Sequence, residues 1–326
     1  MKKELIHKIV RASGIKKGEL VLIHFWGDNE NKEIADQFVI ETAALGASPF
    51  LLMQSRSINR KLFMTAAEES FSEAYFEKLS GFDVILDVFA YQPIVIDLPE
   101  EKMPTYRRYI RSLFYKLMEV KKFLQIRLPT AENAKESGLM PEDFISRMEA
   151  AYDIDYEELR QEAEKMEVQK AREILLHTEG DHTLRLSLSG RKWHIDAGDG
   201  DMPCGEIYIA PIEEATNGKI FFKTLFFEDN RYENVLLEIE NGIVAHANIP
   251  ELQAFFDEQA PENKTVCELG FGLNKNVREL CGYTVLDEKM ADSFHIAIGA
   301  NTMFGGKNKA PLHIDLVGQA DIEVIQ

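Results

Sequence analysis

The sequence predicts an α/β amino-terminal domain with a mainly parallel sheet, followed by a β-rich, mixed carboxy-terminal domain that carries a metal site. Three observations predict it. Short β-rich runs alternate with helical stretches over the first half; past residue 176 the apolar pattern shortens to strict alternation; and the last third embeds carboxylates and imidazoles in apolar, glycine-rich sequence. At 326 residues with 45% apolar content the chain is too long for one core and apolar enough for two, so the domains are expected over 1–175 and 176–326.

The first strand is expected over 20–26 (LVLIHFW), and the next helix over 31–45, where Ile34, Phe38, Val39, Thr42 and Leu45 fall near helical spacing and Gly46 follows as a stop. Residues 48–53 and 83–89 read as further strands, 105–120 as a basic helix, and 122–128 as a strand ending at Pro129. Strands separated by helices of this length imply crossovers and a parallel sheet. Residues 141–176 read as a long, charged helical tract, a solvated connecting helix or helix pair. Beyond it, residues 183–189 alternate strictly, 206–209 and 219–227 are β-rich, and 234–242 end in a hairpin-type turn before 243–247, so the second half is expected to be mostly antiparallel.

Charge and composition exclude several function classes. A net charge of -18 with a sequence pI near 5.0, spread along the chain, repels phosphate backbones and anionic membranes, so neither nucleic acid nor a membrane surface is an expected partner. The residues after Met1-Lys-Lys hold no apolar run long enough for a signal peptide. No stretch approaches the roughly 20 apolar residues of a membrane span. Cys204, Cys267 and Cys281 are an odd number without a CxxC pair, which reads as a reduced, cytoplasmic protein lacking a disulfide frame. Neither GxGxxG nor a P-loop occurs, so no nucleotide cofactor is expected.

Chemistry gathers near the carboxy terminus. On a strand, His313 and Asp315 are two residues apart and project from one face, delivering an imidazole and a carboxylate together. His295 sits at alternating spacing in an apolar run, and a hairpin across 304–308 would bring it towards His313. Glu268 is flanked by Cys267, Leu269 and a Gly-Phe-Gly run that imply burial, and Glu206 follows Pro203 and Gly205, where backbone can approach a ligand closely. Glu288, seven residues before His295, either ligates or orients a ligand. Burying so many unpaired acceptors costs several kcal/mol each, and divalent cations would neutralise them.

These segments, MPCGEIYIAP at 202–211, ELGFGLN at 268–274, DEK at 287–289, HIAIG at 295–299 and HIDL at 313–316, together resemble the M29 peptidase family of aminopeptidase T-like metalloenzymes. Upstream, GELVLI at 18–23, ALGA at 44–47, PTA at 129–131 and GRKW at 190–193 are similar to the family in the same order, so the resemblance spans nearly the whole chain. It implies a dimeric metallo-aminopeptidase acting on short peptides through two divalent ions (zinc, cobalt or manganese). Glu206, Glu268, His295, His313 and Asp315 match metal ligands, Glu268 the bridging and base-like one, and Glu288 matches a further acidic site residue. The chain departs from the pattern at Thr302, where the family tends to place a catalytic Tyr, and at Cys204, where an Asp is frequent; it is also short for the family. The family includes a mononuclear Fe(II) ring-cleaving dioxygenase of a dihydroxypyridine, whose ligand set would map onto His295, His313 and Asp315. A metal-binding protein without peptidase turnover is the third alternative.

Overall fold

Apolar runs buried on both faces become the central strands of a parallel sheet, because crossover helices cover each side. The computed structural model, which describes residues 1–67, 69–93, 97–228 and 230–326, forms β1 (Leu20–Trp26), β2 (Ser48–Gln54), β3 (Val84–Phe89) and β4 (Lys122–Arg127). Chain order continues with β5 (Glu173–Thr178), β6 (His182–Ser187) and β7 (His194–Asp196) before β8 (Asp201–Met202) pairs with β4. The first sheet has the order β2-β1-β3-β4-β8, all parallel. The helix expected over 31–45 spans Lys32–Ala44 and gives way at Gly46, whose φ of 80° only glycine adopts without strain. The basic helix is Met103–Met118 and buries Tyr106, Tyr109, Leu113 and Leu117 on one stripe.

The remaining strands are β9 (Glu206–Ile209), β10 (Asn217–Phe227), β11 (Asn230–Glu240), β12 (Ile243–Ala247), β13 (Val266–Gly272), β14 (Phe294–Gly299), β15 (His313–Gly318) and β16 (Asp321–Ile325). They build two antiparallel sheets, β12-β11-β10-β6-β5-β16 and β15-β14-β13-β9-β7. Asn241 and Gly242, both at positive φ, turn β11 into β12 as the sequence signal requires. Between the two sheets lies one core in which Leu184, Phe222 and Leu237 meet Ile207, Phe271 and Ile296. Contacts divide the chain into Met1–Tyr156 with Gly198–Cys204, and Glu157–Ala197 with Gly205–Gln326.

The expected helical tract over 141–176 is a helix pair, and it is corrected at its end. It forms two helices, Pro141–Tyr152 and Tyr156–Lys165, then a short 3-10 turn, and its end is strand β5. The charged stretch does run as solvated helix, but Ile174, Leu176 and Thr178 alternate inward, and pairing with both β6 and β16 outweighs any helical preference. Phe222 packs 5.8 Å from Phe294 between the sheets, fully buried. Phe222→Ala is therefore expected to cost about 3–5 kcal/mol of stability in urea unfolding.

Candidate metal centre

Alternation along the five strands β15-β14-β13-β9-β7 gives their sheet two unlike faces. Ile207, Leu269, Phe271, Ile296 and Leu316 point into the core. The opposite face carries His194 and Asp196 from β7, Glu206 and Tyr208 from β9, Glu268 from β13, His295 from β14, and His313 and Asp315 from β15. Pairing aligns them in rows: His194 lies across from Tyr208, Tyr208 from Gly270, and Gly270 from His295. The floor between must be bare. A Cβ at Gly270 would stand 2.0 Å from His295 Nε2, and one at Gly272 would stand 2.1 Å from the Met290 carbonyl oxygen. The glycines of β13 are there for space, not for a special backbone angle.

Glu268 occupies the middle of the cluster and is buried. Its Oε1 lies 3.3 Å from His295 Nε2, and its Oε2 lies 3.5 Å from His313 Nε2. His295 Nε2 also approaches Glu206 Oε2 at 3.4 Å, and His313 Nε2 approaches Asp315 Oδ1 at 3.5 Å. One carboxylate thus separates two half-sites, Glu206 with His295 and Asp315 with His313. Donor atoms of Glu268, His313 and Asp315 all lie within 4.8 Å of one another. His313 Nδ1 is 2.9 Å from the Ala300 carbonyl oxygen, to which it donates, so Nε2 is the ring nitrogen that faces the carboxylates. Glu206 Oε2 is buried without a hydrogen-bond donor among the described residues. Hard oxygens and imidazole nitrogens with an unsatisfied buried oxygen fit a divalent cation.

Lys289 supplies the cluster's one ammonium among the described residues, and it is almost fully buried. Its Nζ donates to Glu206 Oε1 at 2.6 Å, pairs with Glu288 Oε1 at 2.8 Å, and lies 3.9 Å from Asp196 Oδ2. Burial opposes the charge of Lys289, but Glu206, Glu288 and Asp196 outweigh it and hold its pKa well above the ordinary value. Burial likewise works against charge on the imidazoles. The hydrogen bond His295 donates to Glu268 and the surrounding carboxylates nevertheless raise His295 to about 9, and Asp315 with Cys267 raises His313 to about 12. Burial lifts the carboxyl of Glu268, and it pushes Glu288 up to about 8 despite Lys289. Asp315 is held below the usual carboxylate range, because His313 more than offsets its burial. Tyr208 is raised by burial and then by Glu206, Glu268 and Asp196.

Of the residues singled out in the sequence, Glu206, Glu268, His295, His313 and Asp315 meet on this face. β14 and β15 form the expected hairpin, but the two imidazoles meet through Glu268, since His313 lies across from Gly299 and His295 from Val317. Glu288 is bound to Lys289, and no hydrogen bond joins it to either imidazole among the described residues. Thr302 is the residue the cluster leaves out: it heads the 3-10 turn Thr302–Phe304, is exposed, and forms no hydrogen bond with the cluster among the described residues. Cys204 is buried and belongs to the first unit. His194, Asp196, Tyr208 and Lys289 were missed. A signal for two of them was present, because His194-Ile-Asp196 repeats the alternation of His313-Ile-Asp315. Removing the ammonium with Lys289→Met leaves buried carboxylates unpaired, so the metal-free variant should lose about 3–5 kcal/mol in urea unfolding.

The sequence model of the thermophilic metalloprotease (M29) family matches residues 147–325. Among solved structures, wild-type AmpT from Thermus thermophilus is similar at 16% identity and a TM-score of 0.68, covering 99% of this chain and 98% of that one. The 2,5-dihydroxypyridine dioxygenase from Pseudomonas putida KT2440 is similar at 15% identity and a TM-score of 0.66, covering 99% and 93%. At such identities both are likenesses of fold. None of the curated proteins compared matches the sequence. The family match covers more than half of the chain and encloses every carboxylate and imidazole of the cluster: the chain belongs to the thermophilic metalloprotease (M29) family.

Proposed function

We propose that the protein is a metal-dependent aminopeptidase that removes amino-terminal residues from short peptides with the help of two divalent cations. The observation that carries this reading is the division of Glu268, one oxygen towards His295 and Glu206, the other towards His313 and Asp315. A bridging carboxylate between two cations needs that arrangement. Charge supports it too. Asp196, Glu206, Glu268, Glu288 and Asp315 against Lys289 leave four negative charges if the imidazoles are neutral, which two divalent ions would neutralise and one would not.

Cations held there would acidify water, polarise the scissile carbonyl and receive the free α-amine. The chain's own groups do the rest. Glu268 takes the proton of the attacking water as base-like group, and Lys289 fixes Glu206 through Oε1 while Oε2 stays available. Glu268 then returns that proton to the departing amine, and Glu288, paired with Lys289 at 2.8 Å, is assigned to hold the ammonium in place beside Glu206. Zinc, cobalt and manganese all suit this mixture of imidazole and carboxylate. A homodimer in the cytoplasm belongs to the same proposal, and sedimentation would test the dimer.

The ring-cleaving dioxygenase reading needs both imidazoles and one carboxylate on a single iron. Among the described residues the donor triad gathered within 4.8 Å, Glu268, His313 and Asp315, contains one imidazole, and His295 Nε2 faces Glu268 and Glu206. Metal analysis separates the readings. Reconstituted protein should approach two ions per chain and cleave aminoacyl anilides with a free, not an acetylated, amine. One tightly held iron with oxygen uptake on a dihydroxylated ring would establish the other chemistry.

Glu268→Gln keeps the volume and removes the bridge's charge. The hydrolysis rate should fall by about 10³-fold or more and metal content should drop, while the metal-free variant melts near the metal-free wild type.

The pH response of the metal-free protein follows from Glu288 and His295. Both have folded pKa values above their ordinary ones, about 8 against 4.5 and about 9 against 6.5, so each contributes stability at low pH that is lost as pH rises through the folded value. The melting temperature without metal should therefore decline from pH 6 to pH 9 in a buffer series read by circular dichroism, scaled as about 1.4 kcal/mol per pKa unit. Adding zinc should restore more at pH 9 than at pH 6, because the ligands must first lose their protons.

A further inference from the structure

We infer that Tyr208 is a catalytic residue, whose phenol O–H donates to the carbonyl oxygen of the bound peptide as that oxygen becomes an anion; this rests on the aminopeptidase reading. Tyr208 follows Glu206 by two residues on β9, so its ring rises from the face that bears the carboxylates. Only side-chain-free Gly270 separates it, along the row, from His295. The ring is wedged in place. It stacks on His194 with centroids 5.2 Å apart and meets Phe304 edge-on at 5.5 Å, and Phe304 in turn meets His313 edge-on at 6.1 Å. His194 Nε2, 3.3 Å from the Phe304 carbonyl oxygen, ties the wedge to the turn above it.

The phenol itself makes no hydrogen bond among the described residues, nor is it a buried orphan. A half-buried ring clamped on both sides, on the face that bears the carboxylates and imidazoles and with a hydroxyl that no described side chain occupies, holds a donor free for an incoming group. The group this site lacks is such a donor. The cluster consists of carboxylates and imidazoles, its ammonium is committed to Glu206 and Glu288, and Thr302 stays on the exposed turn. In the reaction, the water oxygen adds to the carbonyl carbon and the π pair moves onto the carbonyl oxygen. Tyr208 donates a hydrogen bond to that oxygen without losing its proton. When the pair returns, the C–N bond breaks and the amine leaves with the proton taken from water.

Tyr208→Phe deletes the hydroxyl and keeps the ring stack. In zinc-loaded protein, kcat on leucine p-nitroanilide should fall about 10²-fold with KM little changed, at unchanged metal content and melting temperature. A second readout needs no turnover. By calorimetry, leucine phosphonic acid, a tetrahedral anion with a free amine, should bind the variant about tenfold more weakly, while leucinol, which has the amine and no anion, should bind both proteins alike. Equal phosphonate affinity and kcat within twofold in wild type and variant overturn the role of Tyr208 and leave the aminopeptidase reading standing. A wild-type protein that binds neither probe and cleaves no anilide overturns that reading, and the inference with it.

Discussion

Four carboxylates on one face of a sheet, with Glu288 joined to them through Lys289, repel one another, and the second unit is organised around containing that repulsion. Lys289 answers part of it with a buried ammonium shared among Glu206, Glu288 and Asp196. The rest falls to His295 and His313, whose raised pKa values show how strongly the cluster draws positive charge. A protein built for stability alone would replace such a group of ions with apolar side chains at no loss. That this chain keeps them, over an otherwise apolar sheet, is the physical argument for a cation as the cluster's natural complement.

Much of this was legible in the sequence, because alternation on a strand is a rule without tertiary input. The pair His313 and Asp315 could be assigned to one face from spacing alone, and the β14–β15 hairpin follows from the glycines between the two histidines. The parallel sheet was equally plain, since β1 and β3 are apolar throughout. Other features depend on pairing between distant strands. Asp196 reaches the site only because β7 pairs with β9, and Lys289 only because the chain turns back before β14. Tyr208 looked like an ordinary β-rich residue until the register set Gly270 between it and His295. The end of the charged tract was misjudged for the same reason, as β5 owes its form to the two strands that flank it.

The glycines show how a sequence can specify a site by omission. Gly270 lets the His295 ring lie flat across β13, and Gly272 admits the Met290 carbonyl. Each weakens the strand's own propensity, by roughly 0.5–1 kcal/mol relative to alanine. The strand tolerates this because it is central, paired along both edges by β14 and β9. A weak strand in a strong position is thus the means by which two imidazoles and four strands' worth of carboxylates share one small volume.

The turn above the site is held more firmly than its exposure suggests. Buried Glu213 accepts from Arg191 at 2.6 Å, from Asn301 at 3.0 Å and from the Lys307 backbone at 2.6 Å, while Asn301 also donates to the Cys267 carbonyl at 3.0 Å. A segment pinned at so many points is a rigid frame beside the cluster. Its outward side chains, such as Met303 at 87% exposure, can then be exchanged without disturbing the frame. The backbone of this turn is thus fixed from within, and its outward surface can vary among related sequences with the chemistry beneath left as it is.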